Sequence, residues 1–462
     1  MSFSLLRSIH CPFCGGDFNE SEIDETGFGI LTCYCGQYPV VAGIPVIRRG
    51  QIGISGETIE AVNSLIKAGR CREALLAMVM PPAPASPTLA PAWIRSLPSL
   101  KGIRRLKSFA HQRGARSWRE QAVSLLTDPQ DRVTACDLLD LYYHRSGFKT
   151  DDAYDYFALR FGQPRHLVAL SFTTLIDKPS KPVLDLACGY GHITGSIARR
   201  AHRQPVVGVD QTFTGLYLAK TFIAPEAEFV CCAADGPLPF PDDFFSAAFC
   251  SDAFHYFIHK VTSLKELKRV VSDDGMIILV WMHNVHVRRP HDGLPLPPEG
   301  YEALIADMPH RLVADSDVLA RYLQRQGPPL ASSAEMGRLS REPLLSIVAS
   351  RRQEVFKDHA EFQDWPHGQG RLDLNPLYRI DKENGSPADV QLRRTYPSDF
   401  YLNDHAQSKE YLPETVRVHS RVLSDLVEGN RTPDVERLVD QFVALGMPER
   451  YQSACAISSK LS

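Results

Sequence analysis

Between residues 181 and 282 the chain alternates short apolar runs with amphipathic stretches, a rhythm that few folds accommodate. "PVLDLA", "PVVGVD", "AEFVCCAAD", "FFSAAFCSD" and "MIILVWM" each read as a strand buried on both faces. Between the fourth and fifth runs, "VTSLKELKRVV" sets Leu264, Leu267 and Val271 on one helical face. Strand, helix and strand in repetition predict an α/β fold with a doubly wound, mostly parallel sheet. "PLLSIVAS", residues 343–350, is a candidate closing strand of that sheet.

A tight turn follows the first run. "VLDLACGYGHIT" (183–194) opens on strand-like residues and ends on a first helical turn, with Asp185, Ala187, Gly189 and Gly191 between. In doubly wound sheets ligands lie beyond the carboxyl ends of the strands, at the switch point. Gly189 and Gly191, helped by the small Ala187, let a ligand approach the backbone there. Asp185 constrains the charge of that ligand, because a carboxylate before the turn repels a pyrophosphate and attracts a cation. Thr194 replaces the third glycine of G-x-G-x-x-G, so the dinucleotide fingerprint fails and a nicotinamide dehydrogenase is disfavoured. The second run ends at Asp210, where an acid can accept both hydroxyls of a ribose. The third ends at Asp235, where a carboxylate can take an adenine amino group. One acid and one glycine pair would fit a purely structural turn. Three acids at three strand ends describe a pocket for S-adenosylmethionine.

Residues 181–282 resemble the class I S-adenosylmethionine-dependent methyltransferases. "VLDLACGYG" matches the glycine motif of that family with alanine for its first glycine, and Asp210 falls at the ribose position. Asp235, followed by "GPLPFPDDFF", matches the adenine-side acid and Leu-Pro-Phe run, and "LKELKRVVSDDGMIILV" resembles the helix, turn and strand before the sheet closes. Ser246, in place of the usual Asp, and Asp273 and Asp274, in place of Pro-Gly, are departures at structural turns. The resemblance implies a seven-stranded, Rossmann-like sheet and S-adenosyl-L-methionine as cofactor. It implies a donor site of Asp185, Ala187, Gly189, Gly191, Asp210, Asp235, Gly236 and Ser251. It also implies that "SDAFHYF", at the fourth strand end, borders the transferred methyl. Methyl transfer is an in-line displacement governed largely by positioning, but an O- or N-acceptor also needs its proton removed. His255 and Asp252 are the candidate bases, with a packed histidine and a helix-capping aspartate as the structural alternatives. Phe254 or Tyr256 could form a wall, and His283 is a further candidate base. Tyr154 and Tyr156 lie on a helix that covers the donor in this family, or belong to the core.

The N-terminal region carries a second chemistry. Cys11 and Cys14 form one pair and Cys33 and Cys35 another, each followed by glycine, as in a zinc knuckle. Four thiolates saturate a tetrahedral zinc, so this Zn2+ would be structural. Residues 5–47, with "YPVVAGIPVI" the most specific part, resemble the zinc-ribbon activator subunit of eukaryotic tRNA and release-factor methyltransferases. The departure is Cys-x-Cys in the second pair, and the alternative is a metal-free remnant. The resemblance implies a platform for a protein partner or substrate rather than a catalyst.

Composition excludes several classes. A net charge of -3 draws the chain to neither nucleic acid nor an anionic membrane, and no apolar run is long enough to span a bilayer. The N-terminus is a poor signal peptide. Eleven cysteines, some inside apolar strands (Cys231, Cys232, Cys250), suit metal ligands plus reduced thiols in a cytoplasmic setting. Four regions are expected. Residues 1–50 form the ribbon, and residues 51–140 a helical segment with a Pro-rich linker, "PPAPASPTLAPAW". Residues 141–357 form the methyltransferase domain with an insertion after the fifth strand. Residues 358–462 are a C-terminal addition bordering the acceptor, with Thr432 capping its last helix. Seven Lys or Arg between 101 and 119, interrupted by Phe109 and Trp118, suit a solvated helix better than an RNA contact. The expected function is methyl transfer to a small molecule or glycan intermediate. The alternatives are an RNA or translation-protein acceptor, and a non-catalytic scaffold that binds a partner through the ribbon.

Overall fold

A computed structural model describes residues 5–20, 23–84, 101–127, 133–147, 151–287, 293–360, 370–381 and 389–452. The ribbon is a four-stranded antiparallel sheet of β1 (Asn19–Glu20), β2 (Gly29–Cys33), β3 (Gly36–Val41) and β4 (Ile44–Pro45). Seven further strands form one sheet. They are β5 (Val183–Leu186), β6 (Val206–Asp210), β7 (Glu228–Cys231), β8 (Phe245–Ser251), β9 (Val271–His283), β10 (His310–Ala314) and β11 (Leu344–Ser350). Their order is β10-β11-β9-β8-β5-β6-β7. The five strands from β9 to β7 run parallel, while β11 pairs antiparallel with both β9 and β10. The apolar runs form strands because both faces of the sheet are covered: every residue of β5 and β11 is buried. The "PLLSIVAS" strand thus lies inside the edge, which β10 provides.

Three boundaries differ from the sequence reading. β7 stops at Cys231, so Asp235 lies in a turn beyond the strand rather than at its end. Val271 opens β9 instead of closing the helix Lys260–Val270, whose buried face is Leu264, Leu267 and Val270. β9 begins well before the apolar "MIILVWM" run, with Asp273 and Asp274 exposed near its start. At the other departure, the Ser246 hydroxyl donates to the Lys181 carbonyl at 2.9 Å, tying the start of β8 to the start of β5.

The ribbon extends the sheet. β7 would otherwise present an open edge, but Val46 bridges Cys231 in parallel and the Ile47 amide donates to the Cys231 carbonyl at 2.8 Å. The His10 amide donates to the Pro239 carbonyl at 3.1 Å, and Lys220 Nζ to the Gly43 carbonyl at 3.1 Å. Helices Ile59–Lys67 and Cys71–Val79 pack beside the ribbon, the first with Ile59 and Val62 inward and its start capped by Thr58. The expected linker lies outside the described residues from position 85 onward. A helix follows at Lys101–Thr127. Its Arg113, Arg116 and Arg119 are exposed, while buried Trp118 donates through Nε1 to the Arg145 carbonyl at 2.7 Å. The side chains of the basic segment before Ala110, Phe109 included, lie outside the described residues.

The C-terminal addition folds back onto the region before the sheet. β12 (Arg371–Leu374) pairs with β16 (Ala444–Met447), and β13 (Tyr378–Asp381), β14 (Asp389–Arg394) and β15 (Thr415–His419) form a second small sheet. The Tyr451 hydroxyl donates to the Phe157 carbonyl at 2.5 Å, and the Tyr411 hydroxyl to the Gly162 carbonyl at 2.7 Å. Thr432 caps the helix Pro433–Asp440, as its sequence suggests.

The turn after β5 takes three left-handed residues: Ala187 at φ 56°, Gly189 at φ 56° and Gly191 at φ 77°. A Cβ on Gly191 would lie 2.8 Å from the Ala219 Cβ, so steric room and dihedral both require glycine there. Gly191→Ala is expected to destabilise the fold by about 2 kcal/mol or more in chemical denaturation, from strain plus overpacking. Ile47→Pro removes the amide that joins the ribbon to β7 and should cost about 1–2 kcal/mol, with faster hydrogen exchange along β7.

Candidate active site

The crevice opens at the carboxyl ends of β5, β6 and β8, where strand order reverses around β5. Asp185 is the third residue of β5 and is buried, and its carboxylate accepts the Thr194 hydroxyl at 2.6 Å. Burial raises its carboxyl from 3.8 to about 7, the Thr194 bond opposing the shift and the charge of Asp210 adding to it. Asp210 bridges two strand ends. One of its oxygens accepts the Gly189 amide at 3.0 Å, and the other accepts the Thr212 amide at 2.8 Å. Burial raises this carboxyl as well, against those backbone bonds.

A cleft of about 170 Å³ lies above β5 and β8. Asp185, Ala187, Gly189, Ser251 and Asp252 line it, with Tyr156, Phe157 and Arg160 from the preceding helical region. The Ser251 hydroxyl is buried there without a hydrogen-bond partner. Tyr190 lines this cleft and also a second cavity of about 340 Å³, bounded by Gln211, Thr212 and Phe213 after β6 and by Arg48 and Ile52 after the ribbon. Arg48 Nη1 donates to the Gln211 carbonyl at 2.6 Å, so the ribbon's tail reaches the residue next to Asp210. Asp235 and Gly236, half-buried in the turn after β7, line neither cavity.

Asp252, just past β8, has a left-handed backbone (φ 57°). It caps no helix. Its Oδ2 accepts the Tyr156 hydroxyl at 2.5 Å, Arg165 Nη1 at 2.8 Å and Arg160 Nη1 at 3.2 Å. Burial alone would raise this carboxyl, but the Arg165 and Arg160 guanidiniums outweigh it and hold the group well below the usual carboxylate range. Arg165 also pairs with Asp404 of the C-terminal addition and lies over the rings of Tyr156 and Trp281. Tyr154 instead meets the His144 ring at 4.2 Å with the planes tilted by 39°, so the two helix tyrosines part company.

His255 lies in the single 3-10 turn Phe254–Tyr256 and is fully buried. Neither ring nitrogen has a hydrogen-bond partner. Its ring stacks on His283 at 4.0 Å, and burial with the neighbouring His283 lowers its pKa to about 3. His283 reaches this position through a bulge in β9. Register shifts between Leu345 and Ile347, so Val280 and Trp281 oppose the single residue Ser346. Trp281 takes φ 60° and its amide donates to the Ser346 hydroxyl at 3.2 Å, which in turn donates to Asp315 at 2.5 Å. Phe254 is buried beside Tyr301, whereas Tyr256 is half exposed.

Sequence reasoning missed Arg160, Arg165, Tyr190 and Asp404. The one available signal was "ALRFGQPRH", where two arginines flank a short turn beside aromatic residues. Cations there read as solvated until packing buries them.

In the ribbon, the four cysteine sulfurs lie within 4.8 Å of one another, with Cys11 and Cys35 3.5 Å apart and Cys33 and Cys35 3.6 Å apart. A tetrahedral zinc with bonds of about 2.3 Å separates its sulfurs by about 3.8 Å, so this donor set fits zinc despite the short Cys-x-Cys. The Tyr38 hydroxyl, 3.7 Å from Cys35 Sγ, favours the thiolate and lowers that thiol to about 6.

Residues 184–279 match the methyltransferase domain family. The uncharacterized methyltransferase YcgJ of Bacillus subtilis (strain 168) is 33% identical over 102 residues, which are 21% of this chain and 39% of YcgJ. The chain thus spans about two fifths of that relative's length. The crystal structure of YcgJ superposes with a TM-score of 0.30 at 19% identity, covering 40% of this chain and 99% of that one. Geranyl diphosphate C-methyltransferase from Streptomyces coelicolor A3(2) gives a TM-score of 0.31 at 16% identity, over 40% of this chain and 75% of that one. A chain from the complex of the Haloferax volcanii Trm112 methyltransferase activator with a methyltransferase gives 0.30 at 17% identity, over 41% and 89%. Residues 184–279 are a methyltransferase domain of the class I, S-adenosylmethionine-dependent family.

Proposed function

We propose that the chain is an S-adenosylmethionine-dependent methyltransferase. One observation carries this reading: a buried acid, Asp185, and a half-buried one, Asp210, border a glycine turn at adjacent strand ends beside an unpaired Ser251 hydroxyl. The methionine end of the donor would lie in the smaller cleft against Asp185, Ala187, Gly189 and Ser251. The ribose would lie at Asp210, and the adenine toward Gln211, with Asp235 and Gly236 on its far side. Gly191 shapes the turn. The donor supplies an activated methyl, and this chain's residues hold it in line with the acceptor.

The acceptor is a small molecule or glycan intermediate, held between the end of β8 and the C-terminal addition of residues 358–462. Asp252, fixed by two guanidiniums, is a positioning residue. His255, with both ring nitrogens unpaired, stands within 4.8 Å of it and is buried behind the cleft wall. Residues 141–357 form the transferase unit. Residues 1–50 form a structural zinc ribbon on Cys11, Cys14, Cys33 and Cys35, and within residues 51–140 the helices Ile59–Lys67 and Cys71–Val79 pack beside it. The ten described cysteines form no disulfide, which supports a reducing, cytoplasmic setting. Among the described residues no helix is long and apolar enough to cross a membrane.

Two outcomes test this function. Calorimetry should show S-adenosylmethionine binding with a Kd on the order of micromolar, abolished by Asp210→Ala; unchanged affinity would refute the ribose contact. The second concerns pH. A cationic donor favours the ionised form of Asp185, whose carboxyl stands near 7 when unliganded. Affinity should therefore rise as pH increases through about 7, with proton release that buffers of different ionisation enthalpy reveal. The same raised value works against the unliganded fold. Its stabilising contribution is full below about 4 and lost as pH climbs through about 7.

A further inference from the structure

We propose that Asp252, His255 and His283 form a divalent-metal site on the acceptor side of the cleft, a second metal centre distinct from the four cysteines. The inference rests on reading the cleft as a methyltransferase site. One ligand atom from each of the three residues lies within 4.8 Å of the others, and all three residues are buried. They come from three separately positioned places: the end of β8, the 3-10 turn behind it, and the end of β9 beyond its bulge. Two imidazoles and one carboxylate are the donor set of non-haem iron(II) sites and suit manganese and zinc as well.

Two details favour a metal over a packed histidine pair. Buried polar groups in folded proteins nearly always find a partner, yet both ring nitrogens of His255 lack one. The three donors to Asp252 all converge on Oδ2, which leaves Oδ1 for a metal.

Charge then names the acceptor class. Arg160 and Arg165 are already balanced by Asp252 and Asp404, so a dication held by neutral imidazoles leaves the pocket positive. An acceptor that ligates through a hydroxyl and loses its proton to water lowers that charge from +2 to +1. Its oxygen then forms the new O–CH3 bond as the C–S bond breaks, with that electron pair remaining on sulfur. The acceptor is accordingly a hydroxylated, metal-chelating small molecule.

The test uses the full chain, dialysed with citrate and titrated with Mn2+, a hard ion poorly matched to thiolates. One Mn2+ per chain is expected, bound equally by Cys14→Ser and weakened by about 100-fold or more in His255→Gln and His283→Gln. No Mn2+ uptake by the unmodified chain overturns the site without any variant having to fold, and so does unaltered affinity in both histidine variants. S-adenosylhomocysteine binding, measured on the same samples, separates the two readings. Donor binding without Mn2+ uptake overturns the metal site alone, and Mn2+ uptake without donor binding overturns the methyltransferase reading while supporting the metal site.

Discussion

The buried carboxylate of Asp252 holds the site together. It joins the end of β8 to Tyr156, Arg160 and Arg165 of the preceding helical region, and through Arg165 to Asp404 of the C-terminal addition. Ion pairs this deep are a weak source of net stability, because desolvation offsets much of the attraction. Their effect is specificity. Removing any member would leave a charge in the interior, so the segments can dock in only one register. The left-handed backbone at Asp252 is tolerated because the Asp252 amide, bonded to the Val280 carbonyl at 2.9 Å, and the two guanidiniums all act on one residue.

The ribbon belongs to the same logic of shared edges. A parallel sheet whose last strand stops at Cys231 exposes unpaired backbone groups, and the Val46–Ile47 segment takes them up within the same chain. That docking carries Arg48 to the Gln211 carbonyl, next to the acid that bridges β5 and β6. The four-cysteine cluster and the crevice are therefore joined through a few hydrogen bonds within one chain.

The β9 bulge performs the corresponding task on the other side of β8. In a regular strand, side chains alternate faces, and one extra residue reverses every position beyond it. The bulge at Val280 and Trp281 brings His283 against His255 and Trp281 beneath Arg165. Ser346 and Asp315 secure the distorted segment, and burial raises the Asp315 carboxyl to about 8, so it stays protonated at neutral pH.

Local pattern determined much of this protein. The five apolar runs, the glycine turn with Asp185 ahead of it, the placement of Asp210 and the cysteine pairs all follow from short-range rules: strand periodicity, the steric freedom of glycine and the geometry of thiolate ligands. Those rules weaken where a strand ends, which is why Asp235 falls four residues beyond β7. Only tertiary structure decided that Arg160 and Arg165 are buried, that Asp404 from far along the chain meets them, and that His283 stacks on His255. The physical reason is range. A cation reads as solvated until segments hundreds of residues apart close over it, and a one-residue bulge leaves no mark in hydrophobic periodicity because both faces of the strand are apolar.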